Sequence, residues 1–241
     1  MLFSILQQNL PWNYKIGLIL MMIPGILIAL IVHEVAHGFM AWKLGDPTAK
    51  NLGRLSLNPI HHLDPIGALM LLVLGFGWAK PVPVNMSNFK KPRRDMALTA
   101  LAGPLSNFLL ALVGALLWGL VWKISPAEGF NESSVWFVLT YGLEIFMIIN
   151  IGLGLFNLIP IPPLDGSNIL ACLLPPKLAA KYVNLRKYTR FIYLGLILLH
   201  LLANRIALAD AIQDYLWYPM TAARTLILNG LVKLVSLIFG L

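Results

Sequence analysis

The stretch Val32-His33-Glu34-Val35-Ala36-His37-Gly38 holds the side chains best suited to chemistry. It spells H-E-x-x-H within a run that has no other charged residue between Lys15 and Lys43. A carboxylate and two imidazoles are costly to place in hydrocarbon, so a polar task must hold them there. On a helix, positions 33 and 37 lie one turn apart on one face. That spacing offers two nitrogen ligands to one zinc ion, with Glu34 beside them as a base for a water on the metal. The chemistry implied is metal-assisted hydrolysis of a peptide bond, at a site inside a membrane.

Such a site needs a third protein ligand and leaves the fourth position to water. The extended pattern that adds a further Gly and His is absent, because Met40 and Lys43 stand at those positions. The other candidates are Asp165, Asp64, Glu144, His61, His62 and His200. Asp165 follows Ile159-Pro-Ile-Pro-Pro-Leu, a proline-broken membrane end, where irregular backbone is tolerated only around a cavity. Asp64 sits among turn residues and suits a turn or cap. Glu144 precedes Asn157 by about four helical turns, roughly 20 Å, which suits a partner within the bundle or the outer end of a span. His61 and His62 are expected at the membrane surface. His200, on an apolar face, is expected to be a satisfied structural histidine. The single Cys172 reads as a small buried apolar residue, and it excludes a disulfide framework or a cysteine metal cage.

The elements that must position these groups follow from composition. Of 241 residues, 59% are hydrophobic and 12% charged, with a mean hydropathy of +0.78. A soluble domain carries about twice that charge fraction, so the fold class expected is an all-α polytopic membrane protein in the lipid bilayer. The net charge of +8 fits lysines and arginines on the cytoplasmic side, and no nucleic-acid partner is expected. No cleavable signal peptide is expected either. The first thirteen residues lack a basic cluster, and the following apolar run is too long for one.

One membrane-embedded domain over 1–241 is expected. The lead 1–14 lies at the interface through Trp12 and Tyr14. A first core helix spans 16–42, kinked at Pro24-Gly25. The region 44–94 combines a small β-hairpin or edge strand with a re-entrant or short helix. Leu52–Asn58 alternates as a strand, Ala79–Asn85 reads as an edge strand or extended segment, and Pro65–Trp78 is apolar but too short to span. A second core helix covers 96–122. A third runs over 133–165 and ends in an Asp-Gly turn. Residues 188–241 add accessory membrane helices: a fourth span from Phe191 through Arg205 to Ala209, then a last helix over 215–241. The loops 43–94 and 165–190 hold thirteen of the eighteen lysines and arginines, whereas the lead and the loop 123–132 hold two. The positive-inside rule places the first pair in the cytoplasm. His33, His37 and Asp165 then lie near the same, cytoplasmic, face of the cell membrane.

Taken together, several motifs form a recognisable pattern. His33-Glu-Val-Ala-His37-Gly38 with Asn157-Leu-Ile-Pro-Ile-Pro-Pro-Leu-Asp165-Gly166 resembles the site-2 protease family of intramembrane zinc metalloproteases. Leu101-Ala-Gly-Pro-Leu-Ser-Asn107 looks like that family's central helix motif. Arg54-Leu-Ser-Leu-Asn-Pro59, His62-Leu-Asp-Pro-Ile-Gly67 and Pro81-Val-Pro-Val84 resemble its small bacterial members. The resemblance covers residues 16–170. It implies one Zn(2+) per chain, bound by His33, His37 and Asp165, with Glu34 as general base. It implies Asn157 as a helper of the oxyanion and Asn107 in a supporting role near the cleft. The implied partner is a transmembrane-helix protein substrate. No segment has room for a PDZ domain, so substrates must be selected otherwise. The competing reading is a membrane protein that holds metal without hydrolysis.

The orientation is directly testable. With Cys172 replaced by Ser, Lys123→Cys should react with a membrane-impermeant maleimide in right-side-out vesicles. Lys91→Cys should react only after the vesicles are opened. The reverse pattern would invert the topology.

Overall fold

The computed structural model describes residues 2–7, 9–74, 79–126, 134–203 and 207–241. A short helix α1 (Leu2–Gln7) leads into α2 (Trp12–Lys43). Two small pieces follow, α3 (Thr48–Asn51) and α4 (Pro65–Leu74). Then come α5 (Pro92–Ile124) and α6 (Val135–Asn157). The C-terminal part holds α7 (Asp165–Leu173), α8 (Pro176–Val183), α9 (Thr189–Ala203) and α10 (Ala207–Phe239). Among the described residues, four helices are long and apolar enough to cross a membrane: α2, α5, α6 and residues 211–239 of α10. The chain is thus a multi-pass, helical membrane protein by length and composition.

Local chemistry explains where the helices begin. α5 opens on Pro92, whose missing N–H is no loss at a helix start. The buried Asp95 carboxylate reaches back to accept the Lys91 backbone N–H at 2.9 Å and pairs with Arg94 at 2.8 Å. α6 opens on Ser134, whose hydroxyl accepts the Trp136 N–H at 3.0 Å. Three interior prolines, Pro24 in α2, Pro104 in α5 and Pro219 in α10, each withhold an N–H from the carbonyl four residues earlier.

The helices α2, α5 and α6 pack against one another, and α10 packs against α5 and α6. In hydrocarbon, apolar burial gives little drive for helix association, so close approach through small residues matters. A Cβ at Gly142 would meet the Met21 sulfur at 2.4 Å. One at Gly119 would meet Val235 at 2.1 Å. The outward faces keep large apolar side chains exposed, among them Leu20, Ile28, Leu109, Val113 and Leu120. Such a surface suits lipid rather than water.

The region between α2 and α5 departs from expectation. No strand forms among the described residues: 52–58 is not one, and of the two readings of 79–85 the edge strand does not form. The backbone groups of 52–58 are engaged locally instead. Gly53 and Arg54 amides bond back to Lys50 and Ala49 carbonyls at 3.0 and 2.9 Å, and the His62 ring donates to the Ser56 carbonyl at 2.7 Å. On the other side, Pro81 and Pro83 have no N–H for a ladder. Residues 79–85 form a non-helical, strandless segment pinned at three amides. Lys80 donates to the His62 carbonyl at 2.8 Å, Val82 to Glu34 at 2.8 Å and Asn85 to Asp46 at 2.7 Å. Asp46 is fully buried and also accepts from Thr48 and the Asn88 side chain. Burial alone would raise its carboxyl, but these donors outweigh burial and hold it below the usual range.

Two further boundaries shift. The apolar piece read as 65–78 is helical over Pro65–Leu74, and its last four residues lie outside the described residues. Asp165 does not end the third helix in a turn; it opens the new helix α7. The loop through Glu132 and the stretch through Arg205, which would carry a fourth span on to 209, are likewise outside the described residues.

Candidate metal centre

His33 and His37 sit on one face of α2, ten and six residues before its end at Lys43. At 1.5 Å per residue that is roughly 9–15 Å inside the helix terminus. Asp165 arrives from the start of α7. The three side chains converge: His33 Nε2 and His37 Nε2 are 3.0 Å apart, and Asp165 Oδ2 is 3.1 Å from the first and 3.2 Å from the second. A tetrahedral zinc ion with N and O ligands at about 2.1 Å requires ligand separations of about 3.4 Å. The near-equilateral triangle comes within about 0.4 Å of that on every side.

Hydrogen bonding settles what these atoms carry. The His37 ring donates from Nδ1 to the Thr99 carbonyl at 2.7 Å, and a carbonyl can only accept. The His33 ring meets Asn107 Oδ1 from Nδ1 at 2.6 Å. That amide is oriented in turn: Asn107 Nδ2 donates to the Ala29 carbonyl at 3.2 Å and to Asn150 Oδ1 at 3.1 Å. Asn150 Nδ2 then donates to the Phe146 carbonyl at 2.9 Å. Both imidazoles are therefore protonated on Nδ1 and present bare Nε2 lone pairs. Asp165 Oδ2 is buried and has no hydrogen-bond partner. Three acceptors facing one point suit a cation.

Two glycines permit the convergence. A Cβ at Gly103 would lie 2.4 Å from His37 Nε2 and 2.7 Å from His33 Cε1, so the α5 backbone comes directly up against both rings. A Cβ at Gly166 would lie 2.1 Å from the Leu158 carbonyl oxygen. Only glycine lets α7 start against the end of α6 and deliver Asp165.

The triangle lines a cavity of about 390 Å³ together with Glu34, Val82, Asn157 and Arg186. Glu34 Oε2 accepts the Val82 amide at 2.8 Å. Asn157 gives one N–H to the Leu153 carbonyl at 3.0 Å, which leaves the other for a ligand. Arg186 is exposed, so the cavity reaches the surface on that side.

A helical, membrane-type chain with a His-His-Asp triangle accords with the comparisons. The model of peptidase family M50 matches residues 21–202. The chain belongs to peptidase family M50. It is 39% identical over 228 residues to YwhC of Bacillus subtilis (strain 168), named as a candidate zinc metalloprotease. That match covers 94% of this chain and 95% of the relative. Rip2 of Mycolicibacterium smegmatis, named in the same way, is 31% identical over 69% of this chain and 62% of its own length. The zinc metalloprotease MJ0392 of Methanocaldococcus jannaschii is 25% identical over 72% of this chain and 38% of its own length. No solved structure matches the chain. The M50 chain is accordingly a zinc metalloprotease, and its cofactor is Zn(2+).

The remaining sequence candidates stand outside the triangle. Asp64 accepts the Gly67 amide at 2.8 Å at the start of α4, as a helix cap does. His62 is buried, and burial holds it below the ordinary imidazole value. His61 is exposed beside the Gly53 carbonyl at 3.3 Å. Glu144 lies on α6 and does not line the cavity. Cys172 is half-buried on α7. The His200 side chain is outside the described residues. Sequence reasoning passed over Asn150, although an amide in an otherwise apolar span signals a buried partner.

Gly103→Ala should abolish bound zinc, because the new methyl falls on His37 Nε2 and on Cε1 of both rings. Gly152→Ala, with nothing within 4 Å of its Cβ, should keep one zinc per chain. Metal analysis of the two purified proteins decides it; equal zinc content would refute the close packing.

Proposed function

We propose that this M50 chain is an intramembrane protease that cuts peptide bonds within or beside transmembrane segments of other membrane proteins. His33, His37 and Asp165 hold the zinc, Glu34 is the general base, and Asn157 supports the oxyanion. One observation carries the reading. The three ligand atoms and Glu34 line one cavity, roughly 9–15 Å inside the end of a membrane-length helix.

Zinc, when bound, supplies Lewis acidity that acidifies water and polarises the scissile carbonyl. The chain's own residues supply the rest. Asn107 and Thr99 hold the two imidazoles with their Nε2 atoms inward. Glu34 stands next in sequence to the ligand His33 and takes the proton from the attacking water. It later returns that proton to the leaving amine. The Val82 amide fixes one Glu34 oxygen and leaves the other for this exchange. The spare N–H of Asn157 faces the developing oxyanion. Water enters on the Arg186 side, which we place at the cytoplasmic face from the loop charges.

A transmembrane helix shields its own carbonyls, so the substrate must unwind locally. Its extended backbone then lies along residues 79–85 and pairs with that segment. Because Pro81 and Pro83 lack N–H groups, the substrate supplies the donors there.

Glu34→Gln should lower cleavage of a helix-destabilised transmembrane substrate by about 10²–10⁴-fold while zinc stays bound. Undiminished turnover would remove Glu34 from the mechanism. Val82 packs near Gly38, so Val82→Asp places a second carboxylate beside Glu34 and disturbs the segment. Cleavage by this variant should fall to background in the same assay. Normal cleavage would count against pairing along 79–85.

A further inference from the structure

The cavity at the metal centre has a neighbour. A second cavity of about 540 Å³ lies between α5, α7 and α8. The two share Met96, Asn168 and Arg186, so they adjoin at these residues. Most of the second wall is apolar, with Met86, Ala171 and Val183 among its side chains.

Arg186 stands in both walls. Its guanidinium donates to the Asn168 side-chain oxygen. Asn168 follows Asp165 by three residues on α7, close to one helical turn. A neutral amide thus holds a full positive charge about one turn from the ligand carboxylate. Among the described residues, no carboxylate lies within ion-pair distance of Arg186. The nearby acids face elsewhere: Asp165 turns Oδ2 to the point shared with the two imidazoles, and Glu34 accepts the Val82 amide. The other guanidinium of the second cavity, Arg93, is committed to the Cys172 and Leu174 carbonyls at the end of α7. A guanidinium carries five donors in a planar fork, and Asn168 engages only part of it. The open part fits a carboxylate through two parallel bonds.

We propose that the second cavity is a substrate subsite and that Arg186 determines specificity by binding a substrate carboxylate. This inference rests on the proteolytic reading above. The segment leaving the metal centre puts an apolar side chain into the chamber and a carboxylate on Arg186. That carboxylate is an acidic side chain or a free C-terminus.

The test uses the full-length zinc-loaded protein in detergent micelles. Model transmembrane peptides carry Glu, Gln or Lys at successive positions on each side of the cut. A shortened set ends there as a carboxylate or a carboxamide. At one position the wild-type protein should prefer Glu over Gln by about tenfold in kcat/KM, as expected for a charged hydrogen bond. Arg186→Gln should erase that preference, and Arg186→Glu should shift it to Lys. A reversal cannot come from a misfolded protein. Preference confined to the carboxylate-ended peptides assigns the C-terminus; preference for internal Glu assigns the side chain. Binding of the same peptides to the Glu34→Gln protein, read by fluorescence anisotropy, should follow the same order. If peptides bind in that order but none is cut by wild type, the proteolytic reading falls and the Arg186 site stands. If peptides are cut with the same Glu, Gln and Lys ranking in wild type and Arg186→Glu, the Arg186 site is overturned and the proteolytic reading stands.

Discussion

Everything in this structure depends on keeping three lone pairs pointed at one place inside an apolar bundle. Left alone, acceptors that close would repel, and the imidazoles would turn to find donors. They cannot turn, because each has its Nδ1–H anchored. The anchors end on main-chain carbonyls: Thr99 for His37, and Phe146 through Asn150 and Asn107 for His33. A carbonyl has no choice of role, so each chain of bonds has one polarity. The backbone of α5 and α6 thereby sets the chemistry of two side chains on α2.

That dependence explains the small residues. Hydrogen bonds of about 3 Å between helices require axes closer than ordinary side chains allow. Gly103 brings α5 onto the imidazole faces, and Gly166 brings α7 against the end of α6. The outer faces carry no such restriction and remain covered in Leu, Ile and Val. Constraint on sequence is thus concentrated on the inner faces, where separation decides whether the ligands meet.

The spans were legible because twenty-odd apolar residues have few alternatives in a membrane protein. Helical spacing likewise made His33 and His37 neighbours. The meeting of Asp165 with them was not legible from spacing, since it depends on how the chain turns between Asn157 and Asp165; loop charges gave only a shared depth. The amide relay was half visible. Asn107 was noticed as a supporting residue, but Asn150 lies in a run that otherwise reads as plain span. The hairpin expectation failed for a definite reason. Alternation over Leu52–Asn58 signals a strand only if a partner supplies donors, and the partner's prolines withhold them. The buried Asp46 and the half-buried Glu34 took the amides that a ladder would have used.

Those same prolines carry one more consequence. A segment that offers carbonyls at 81 and 83 but no amides cannot zip to an identical segment on another molecule, because acceptor would face acceptor. An ordinary peptide has a donor at nearly every residue and meets no such obstacle. The exposed backbone beside the metal centre is therefore unsuited to self-association yet still open to foreign chains. A crowded membrane, where copies of the same protein collide far more often in fixed orientation than they would in solution, is where that asymmetry matters most.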